Sequence, residues 1–492
     1  MRRQPRAERK PARARTGGRP ERRGLFLVAA GLFLVAFTLR TAVTSVPPLT
    51  EGIGHDLFLP SWLVAVLGML PTALFGVAGL ATPLLMRAWS VEAISVAAMA
   101  ASGAGQVLRA AAPETGMFLA GSALALAGMG VGNVVLPPIV RKYFPERVGL
   151  FTALYVTVIN AGTTIPPLLA VPVADAAGWR LSIGWWAALN ILAILPWLSV
   201  WPARGRRMPS PTGSVAATRS PSPASGSSPE RTGSPEPTSR LRAHDGGSAP
   251  RAVVRGSGRV TVRPWRAPAA WALALMFGCT SLNTYAMFAW LPGIVAEAGL
   301  GPAAAGVQVG IFAGLGLPLS LAVPILASRL RNPFPVVAFG VTGFAAGYLG
   351  LLLAPGTATW LWSTLAGLGP ATFPLALVLV NLRTRSHQAS GAVSGFAQGV
   401  GYVVACTGPL LVGLLHDATG TWTPSFAFLG LTLVVLGVSG WVISRPHCID
   451  DHPRVVEPAY PERARASGAQ DERASGAQDE RASGPAEVCG ER

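Results

Sequence analysis

The stretch Trp62–Met86, WLVAVLGMLPTALFGVAGLATPLLM, contains no charged side chain. As a helix it would be about 37 Å long at 1.5 Å per residue, more than the ~30 Å of hydrocarbon in a bilayer. In a soluble protein, water contacts one side of nearly every helix, so a polar face would interrupt such a stretch. The stretch therefore predicts a transmembrane helix.

Comparable apolar segments recur along the 492-residue chain, for example Gly24–Ala36 and Ala427–Ile443. So many helices that are apolar all round indicate an all-α polytopic membrane protein with twelve transmembrane helices. The predicted spans are 24–47, 61–86, 92–112, 115–139, 150–174, 181–201, 269–296, 303–328, 334–354, 358–381, 389–415 and 424–444.

The net charge of +17 is concentrated in two segments outside these spans. Residues 1–23 contribute +8 and residues 202–267 contribute +9, so the rest of the chain is neutral overall. Basic segments that flank membrane helices are typical of topology signals and of contacts with anionic lipids. We therefore predict anionic lipids as partners of both segments and no nucleic-acid binding.

The segment 202–267 is rich in Ser, Pro, Gly and Arg and has almost no large apolar residues, so we predict a disordered cytoplasmic linker. After residue 445 the sequence ASGAQDER occurs twice in tandem, which indicates a low-complexity tail. The predicted organisation is a basic arm (1–23), a six-helix bundle (24–201), the linker (202–267), a second six-helix bundle (268–445) and a cytoplasmic tail (446–492).

Charges in the short loops predict a cell-membrane protein with both termini in the cytoplasm, because cytoplasmic loops are enriched in Lys and Arg. Only Arg109 and Arg180 fall in the loops that this arrangement places outside. The loops that it places inside contain Arg87, Arg141, Lys142, Arg147, Arg329, Arg331, Arg383 and Arg385.

The two halves of the sequence repeat. A single offset of 242 positions aligns the fifth predicted span with the eleventh, without a gap. The aligned pairs include Gly149 with Gly391, Pro167 with Pro409, Asp175 with Asp417 and Gly178 with Gly420. Two parallel six-helix repeats are typical of transporters that bind solute between the halves, near the middle of the bilayer.

Three motifs resemble the cyanate permease and nitroimidazole transporter family of the major facilitators. They are LRTAVTSVPPL at Leu39–Leu49, GNVVLPPIVRKYFPERVGL at Gly132–Leu150 and SGFAQGVGY at Ser394–Tyr402. The resemblance covers nearly all of the predicted membrane domain. It implies the major facilitator fold and a secondary active or facilitative transporter that moves a small anionic or electronegative solute by alternating access.

Two departures from the wider superfamily qualify this resemblance. The glycine-rich signature between the second and third helices is degenerate at Pro83–Trp89, which puts the usual conformational latch in doubt. The fifth span also lacks the Gly-Pro motif of drug/proton antiporters, which argues against a standard drug exporter. An exporter of drugs or metabolites on the same fold and a non-transporting membrane receptor remain alternatives.

Arg40 is the first candidate for solute binding. It lies about 22 Å along the first predicted span from Leu25, past the midplane. An arginine there costs about 2.5 kcal/mol or more unless it faces a cavity or a partner. One interpretation is a guanidinium that binds an anion in a central cavity, and the other is a side chain that extends to the outer interface.

Several other polar residues are candidates for the same cavity. Each of them would otherwise serve as a helix–helix contact or an interfacial anchor, and the assignment of their helices to the cavity rests on analogy with the fold. They are Asn133, Tyr155, Asn160, Asn283, Tyr285, Gln398 and Tyr402.

Carboxylates and histidines are confined to the ends of the predicted spans and to loops, so no proton relay is predicted near the midplane. Any coupling would then use the charge or protonation of the solute itself. The four cysteines have no metal-site spacing, and no set of nucleophile and base residues gathers in the sequence. We predict no metal, no cofactor, no enzymatic activity and a monomer.

Overall fold

The computed structural model describes residues 22–200, 261–384, 387–445, Ile449 and 456–457. The predicted arm, most of the predicted linker and nearly all of the predicted tail lie outside these ranges. The division of the chain into arm, bundles, linker and tail therefore stays a prediction.

The described residues are almost entirely helical. In chain order the helices are α1 (Arg22–Thr38), α2 (Thr41–Thr44), α3 (Thr50–Asp56), α4 (Ser61–Ala88), α5 (Val91–Ala110), α6 (Thr115–Tyr143), α7 (Val148–Gly184), α8 (Trp186–Val200), α9 (Pro268–Glu297), α10 (Pro302–Gly314), α11 (Gly316–Arg329), α12 (Phe334–Leu353), α13 (Thr359–Leu368), α14 (Thr372–Leu382), α15 (His387–Thr419) and α16 (Thr423–Ser444). Strands β1 (Thr261–Val262) and β2 (Val456–Glu457) pair antiparallel, so the end of the predicted linker meets the predicted tail.

Within the described residues, eleven helical runs are long and apolar enough to cross a membrane. The run Pro145–Ser199 is 55 residues long and contains two of the predicted spans. Gly178 breaks it with a φ of 83°, a backbone conformation that glycine adopts without strain. Beyond the break, the Ser182 hydroxyl donates to the Ala170 carbonyl at 2.6 Å, so the chain has turned back. The prediction of twelve crossing segments in an all-α fold is confirmed.

The second half of the chain repeats this turn. Gly420 has a φ of 67°, and the Ser425 hydroxyl donates to the Val412 carbonyl at 2.8 Å. A tryptophan indole follows each turn and donates to a carboxylate at the end of an earlier helix. The two pairs are Trp179 with Asp56 at 2.9 Å and Trp422 with Glu297 at 2.7 Å. The turn at Gly420 and the bond of Trp422 in the second half thus repeat the turn at Gly178 and the bond of Trp179 in the first half. This confirms the duplication of the six-helix unit.

Three of the predicted spans contain a short interruption of the α-helix. The span 303–328 breaks at Leu315, between two glycines, and the span 358–381 breaks at Gly369–Ala371. Pro370 lies in the second break and has no N–H group for the helical hydrogen-bond pattern. The span 24–47 breaks after Thr38, immediately before the candidate residue Arg40.

The two ends of the bundle carry different groups. We call one the Asp56 end, where Asp56 forms an ion pair with Arg180 at 2.6 Å. We call the other the Lys142 end, where the buried Glu92 accepts a hydrogen bond from Lys142 at 2.5 Å and another from Tyr143.

Contacts between the halves are tightest towards the Asp56 end, where α4 packs along α15 and α7 along α10. A Cβ atom on Gly68 would lie 2.9 Å from Pro409 and 2.7 Å from Ala289. A Cβ atom on Gly306 would lie 2.6 Å from the Pro167 carbonyl oxygen. Small residues therefore let the backbones of the two halves approach closely.

Towards the Lys142 end, α4 and α15 no longer pack closely against each other. On α4, a Cβ atom at Gly79 would meet nothing within 4 Å. On α15, positions Gly391, Gly395 and Gly399 are equally open. The halves are thus closed against each other at the Asp56 end of the interface.

Three side-chain hydrogen bonds join the halves within the described residues. They are Arg40 to Tyr285, Asn160 to Ser320 at 3.1 Å, and Thr72 with Cys406 at 3.2 Å.

Gly162→Ala tests the packing of α7 on α1. A Cβ atom at Gly162 would lie 2.0 Å from the Phe37 carbonyl oxygen, so the helices must move apart. Overpacking of this kind costs about 1–3 kcal/mol. We expect a clear fall in the thermal unfolding temperature of the purified protein. Gly430→Ala on α16 is the matched control because a Cβ atom there meets nothing within 4 Å. Equal stability of the two variants would contradict this packing.

Candidate functional site

Arg40 lies in the break between α1 and α2, with φ −123° and ψ −7°. Two threonine hydroxyls of α2, just after the break, donate to backbone carbonyl oxygens of earlier residues. Thr41 donates to Thr38 at 3.0 Å, and Thr44 donates to Arg40 at 3.3 Å. Such bonds offer the backbone an alternative to the regular helix and often bend it. The local sequence therefore accounts for an irregular backbone at the arginine.

The Arg40 guanidinium reaches across the interface between the halves. Its Nη1 donates to the Tyr285 hydroxyl on α9. Its Cζ lies 4.9 Å from the centre of the Phe75 ring on α4, a cation–π contact. The ion pairs found among the described residues do not include Arg40. Arg40 is therefore a half-buried cation that lies near two aromatic rings, those of Phe75 and Tyr285, and has no carboxylate partner among the described residues.

A cavity of about 40 Å³ lies beside this contact, towards the Asp56 end. The loop after α2, the start of α4 and the middle of α9 form its walls, and most of its lining is apolar. The polar side chains of its lining include those of Tyr285, Arg109 and Ser122. Tyr285 is thus shared between the cavity and the Arg40 contact.

Arg109 is a second cation at this site, and the expectation that it lies in a loop is wrong. It belongs to the last turn of α5 and is only 1% exposed. Its Nη1 donates to the Ala42 carbonyl at 3.1 Å, and its Nη2 donates to the Ser45 hydroxyl at 3.4 Å. The broken first segment thus supplies acceptors that draw Arg109 into the bundle. Like Arg40, it has no carboxylate partner among the residues that the structure describes.

Tyr402 packs beside the same site from α15. Its Cβ lies 3.3 Å from the position that a Cβ atom on Gly76 would occupy, and its ring stands edge-on to Phe277. Gly76 is next in the chain to Phe75, whose ring contacts Arg40. The structure therefore places Tyr402, from α15, near the part of α4 that contacts Arg40.

Asn160 lies at another part of the interface. Its Nδ2 donates to the Val156 carbonyl at 2.9 Å and to the Ser320 hydroxyl at 3.1 Å. Its Oδ1 would lie 2.5 Å from a Cβ atom at Gly316, so α7 and α11 meet closely there. This geometry indicates a helix–helix contact between the halves.

Asn133 and Tyr155 lie on α6 and α7, with no hydrogen bond from their side chains to any other described residue. Asn133 is half-buried and Tyr155 is 8% exposed. Neither belongs to the lining of the cavity beside Arg109. Their roles in solute binding stay predictions.

Asn283 and Gln398 make bonds within the second half. Asn283 is fully buried, donates to the Thr432 hydroxyl at 2.9 Å and accepts from the Tyr348 hydroxyl at 2.9 Å. Protein groups thus occupy both its amide nitrogen and its oxygen, which favours a structural role. Gln398 is half-buried and donates to Ser394 on its own helix at 2.8 Å.

Sequence reasoning missed Arg109, Ser122 and Phe75 as parts of this site. The sequence shows Arg109 as a lone arginine at the end of an apolar span. Whether its side chain faces the interior of the bundle depends on how α5 is rotated, which the sequence does not show. Ser122 and Phe75 carry no signal that separates them from other helix residues. In the described part of the chain, no group of three His, Cys, Asp or Glu side chains is arranged to hold a metal ion.

The model of the Major Facilitator Superfamily matches residues 28–405, most of the chain. The chain belongs to this superfamily. Membership confirms the resemblance noted in the sequence. It makes the protein a multi-pass membrane transporter rather than an enzyme.

Relatives and a solved structure agree with the superfamily assignment. The 2-nitroimidazole transporter of Escherichia coli (strain K12) is 28% identical over 419 residues, 84% of this chain and 94% of that protein. The cyanate transport protein CynX of the same strain is 23% identical over 413 residues, 82% of this chain and 94% of that protein.

A crystal structure shows the same fold. It is that of a bacterial homologue of the human lysosomal transporter Spinster, in an inward-facing and unoccupied conformation. It has a TM-score of 0.60 and 14% identity, and covers 87% of this chain and 98% of that one. At this identity the likeness shows the major facilitator fold alone.

Proposed function

We propose that this major facilitator moves a small anionic or electronegative solute, similar to cyanate or a nitroimidazole, by alternating access. Arg40 is the central binding group, with Tyr285 and Tyr402 beside it. The observation that carries the proposal is the presence of two guanidinium groups in the bundle, Arg40 and Arg109, without a carboxylate partner among the described residues.

The energetics of buried charge support an anion. A cation within the membrane is costly unless a partner or water offsets the lost hydration. Tyr285 gives Arg40 one neutral acceptor, which leaves most of its five donors available to a solute. A solute anion would supply both the missing charge and the acceptors, and guanidinium geometry favours bidentate binding. The solutes for which the two relatives are named, 2-nitroimidazole and cyanate, agree with a small solute of this kind.

The packing of the halves supports an inward-facing state. With both termini in the cytoplasm, the Asp56 end faces outwards and the Lys142 end faces the cytoplasm. The interface is tight at the Asp56 end and open along α15 towards the Lys142 end. Solute would then reach Arg40 from the cytoplasmic side, and reopening of the Asp56 end would complete the cycle.

The charge on the solute would also set the coupling. Among the described residues, the carboxylates lie at helix ends, as Glu92 and Asp56 do, rather than beside Arg40. A monoanion that crosses alone carries one charge through the membrane potential, worth about 2.3 kcal/mol per 100 mV. Uptake should therefore respond to voltage more than to a proton gradient.

Flux into proteoliposomes tests the proposal directly. The purified protein is assayed with cyanate, azide, formate and 2-nitroimidazole, and with urea as a neutral control, at several pH values and clamped potentials. We expect voltage-dependent flux of at least one small anion and none of urea. Strict dependence on a proton gradient at constant voltage would contradict coupling through the solute charge. Absence of flux for every compound under every gradient would favour a receptor.

A further inference from the structure

The cavity next to Arg109 has features that the Arg40 contact does not explain. Two buried polar atoms in its lining residues, the Nε of Arg109 and the hydroxyl of Ser122, have no hydrogen-bond partner among the described residues. Arg109 is 1% exposed and Ser122 is 3% exposed. A buried donor without an acceptor is destabilising, so such groups are rare unless something occupies the space beside them.

We infer that this cavity is a second anion site, where Arg109 and Ser122 hold a small inorganic monoanion after it leaves Arg40. The inference rests on the proposed function for the movement of an anion, but different residues define the site. The chemistry of the two groups selects the ligand. An arginine Nε–H can only donate, and a serine hydroxyl can also donate, so both suit an acceptor with negative charge.

The position of Arg109 is fixed by other bonds. Its two terminal nitrogens donate to Ala42 and Ser45, which anchor the guanidinium against the broken first segment. These two bonds use two of the five N–H donors of the guanidinium. The Nε–H is buried and has no partner among the described residues. An anion at this point would gain the full charge of Arg109 without displacing either existing bond.

The size of the cavity restricts the ligand further. At about 40 Å³ it has room for roughly three water molecules. Pockets for drug-sized ligands are about 300–1,000 Å³. A linear triatomic anion such as cyanate or azide suits this volume, whereas a substituted ring does not. In this conformation the second site therefore favours small inorganic anions over nitro-aromatic solutes.

Tyr285 connects the two sites. Its hydroxyl accepts from Arg40, and its side chain also lines the cavity that contains Arg109. An anion that passes from one guanidinium to the other would therefore move past Tyr285. The second site lies towards the Asp56 end, where the halves are closed. It would therefore be the last site that the anion occupies before that end opens.

Azide binding to the purified full-length protein tests the site without requiring transport. Azide is a linear monoanion, and its infrared stretching band shifts with its hydrogen-bonding environment. We expect a saturable, shifted band in the wild type that persists in Arg40→Gln. Ser122→Ala should weaken the azide affinity, obtained from the saturation of that band, by about 5- to 10-fold. Arg109→Lys should shift or abolish the band.

The controls separate folding effects from binding. Arg109→Lys keeps the charge but loses Nε, and its thermal unfolding is measured in parallel. Ser363→Ala is the matched control for Ser122→Ala, because Ser363 is also fully buried with an unpartnered hydroxyl but lies on α13, outside the cavity lining. It should leave the azide band unchanged.

Three results would overturn the inference. One is a wild type with no saturable azide band, which would mean that the cavity holds only water. Another is a band that Ser122→Ala and Arg109→Lys leave unaltered. The third is a band that disappears in Arg40→Gln alone, which would mean that only one site exists. The second and third results are compatible with anion flux through Arg40. After the first result, the flux measurement in proteoliposomes decides whether the proposed transport fails as well, so the two failures are distinguishable.

Discussion

We expect the replacement of Arg40 by glutamine to lower anion flux by about 30-fold or more. Loss of one partner from a buried, hydrogen-bonded charge pair costs about 2–5 kcal/mol, and each 1.4 kcal/mol is tenfold. Glutamine keeps part of the length and the contact with Tyr285 but removes the charge and the paired donors. Arg40→Lys should also abolish flux, because lysine cannot reproduce the planar, bidentate geometry.

The measurement is initial flux in proteoliposomes at matched protein content, with thermal unfolding as a check on folding. Arg180→Gln is the control, since it removes one positive charge from the Asp56 end, where Arg180 is 43% exposed and ion-paired. It should transport normally. If Arg40→Gln transports at the wild-type rate, Arg40 is not part of the binding site and the proposed function loses its main support.

Oxidation of a Thr72→Cys variant should stop transport almost completely. Thr72 on α4 lies 3.2 Å from the Cys406 sulfur on α15, so one substitution places two thiols across the interface. A disulfide requires sulfur atoms about 2.05 Å apart, a small adjustment from this distance. It would fix the two halves in their closed arrangement, and alternating access requires them to separate there.

Flux is measured before oxidation, after copper-catalysed oxidation and after reduction with dithiothreitol. We expect near-normal flux, then background flux, then recovery. Two controls should stay active throughout: Thr72→Ser, which keeps the hydroxyl, and Thr72→Cys combined with Cys406→Ala, which cannot form the bond. Full transport by the cross-linked protein, with the disulfide verified by mass spectrometry, would contradict a cycle in which α4 and α15 separate.

Much of the fold was predictable because it depends on composition along single segments. An uncharged stretch such as Trp62–Met86 identifies a membrane helix without knowledge of its neighbours. The duplication was also predictable, since Gly178 and Gly420 mark the same turn and only glycine adopts that backbone conformation without strain. The break before Arg40 was not predicted, because the threonines that bend the backbone there also occur in continuous helices.

The site was predictable only in part, because its members meet through tertiary packing. Arg40 was recognisable from its cost in a membrane, but its partner Tyr285 is on α9 and was one of several equivalent candidates. Arg109 was placed in a loop because a charge at the end of a span usually faces the interface. Its burial depends on acceptors that only the broken first segment supplies. Asn283 was a plausible ligand until its bonds to Thr432 and Tyr348 were visible.

The three hydrogen bonds that join the halves among the described residues have a consequence for the speed of the proposed alternating access. A protein that alternates between two shapes must keep them close in free energy, or it rests in one of them. Each such bond contributes about 1 kcal/mol net, so breaking Arg40–Tyr285, Asn160–Ser320 and Thr72–Cys406 together costs only a few kcal/mol. The rest of the tight contact is between small apolar surfaces, which can slide apart without leaving unpaired polar groups. The interface is therefore weak enough for rocking of the halves on the microsecond to millisecond timescale typical of domain motions.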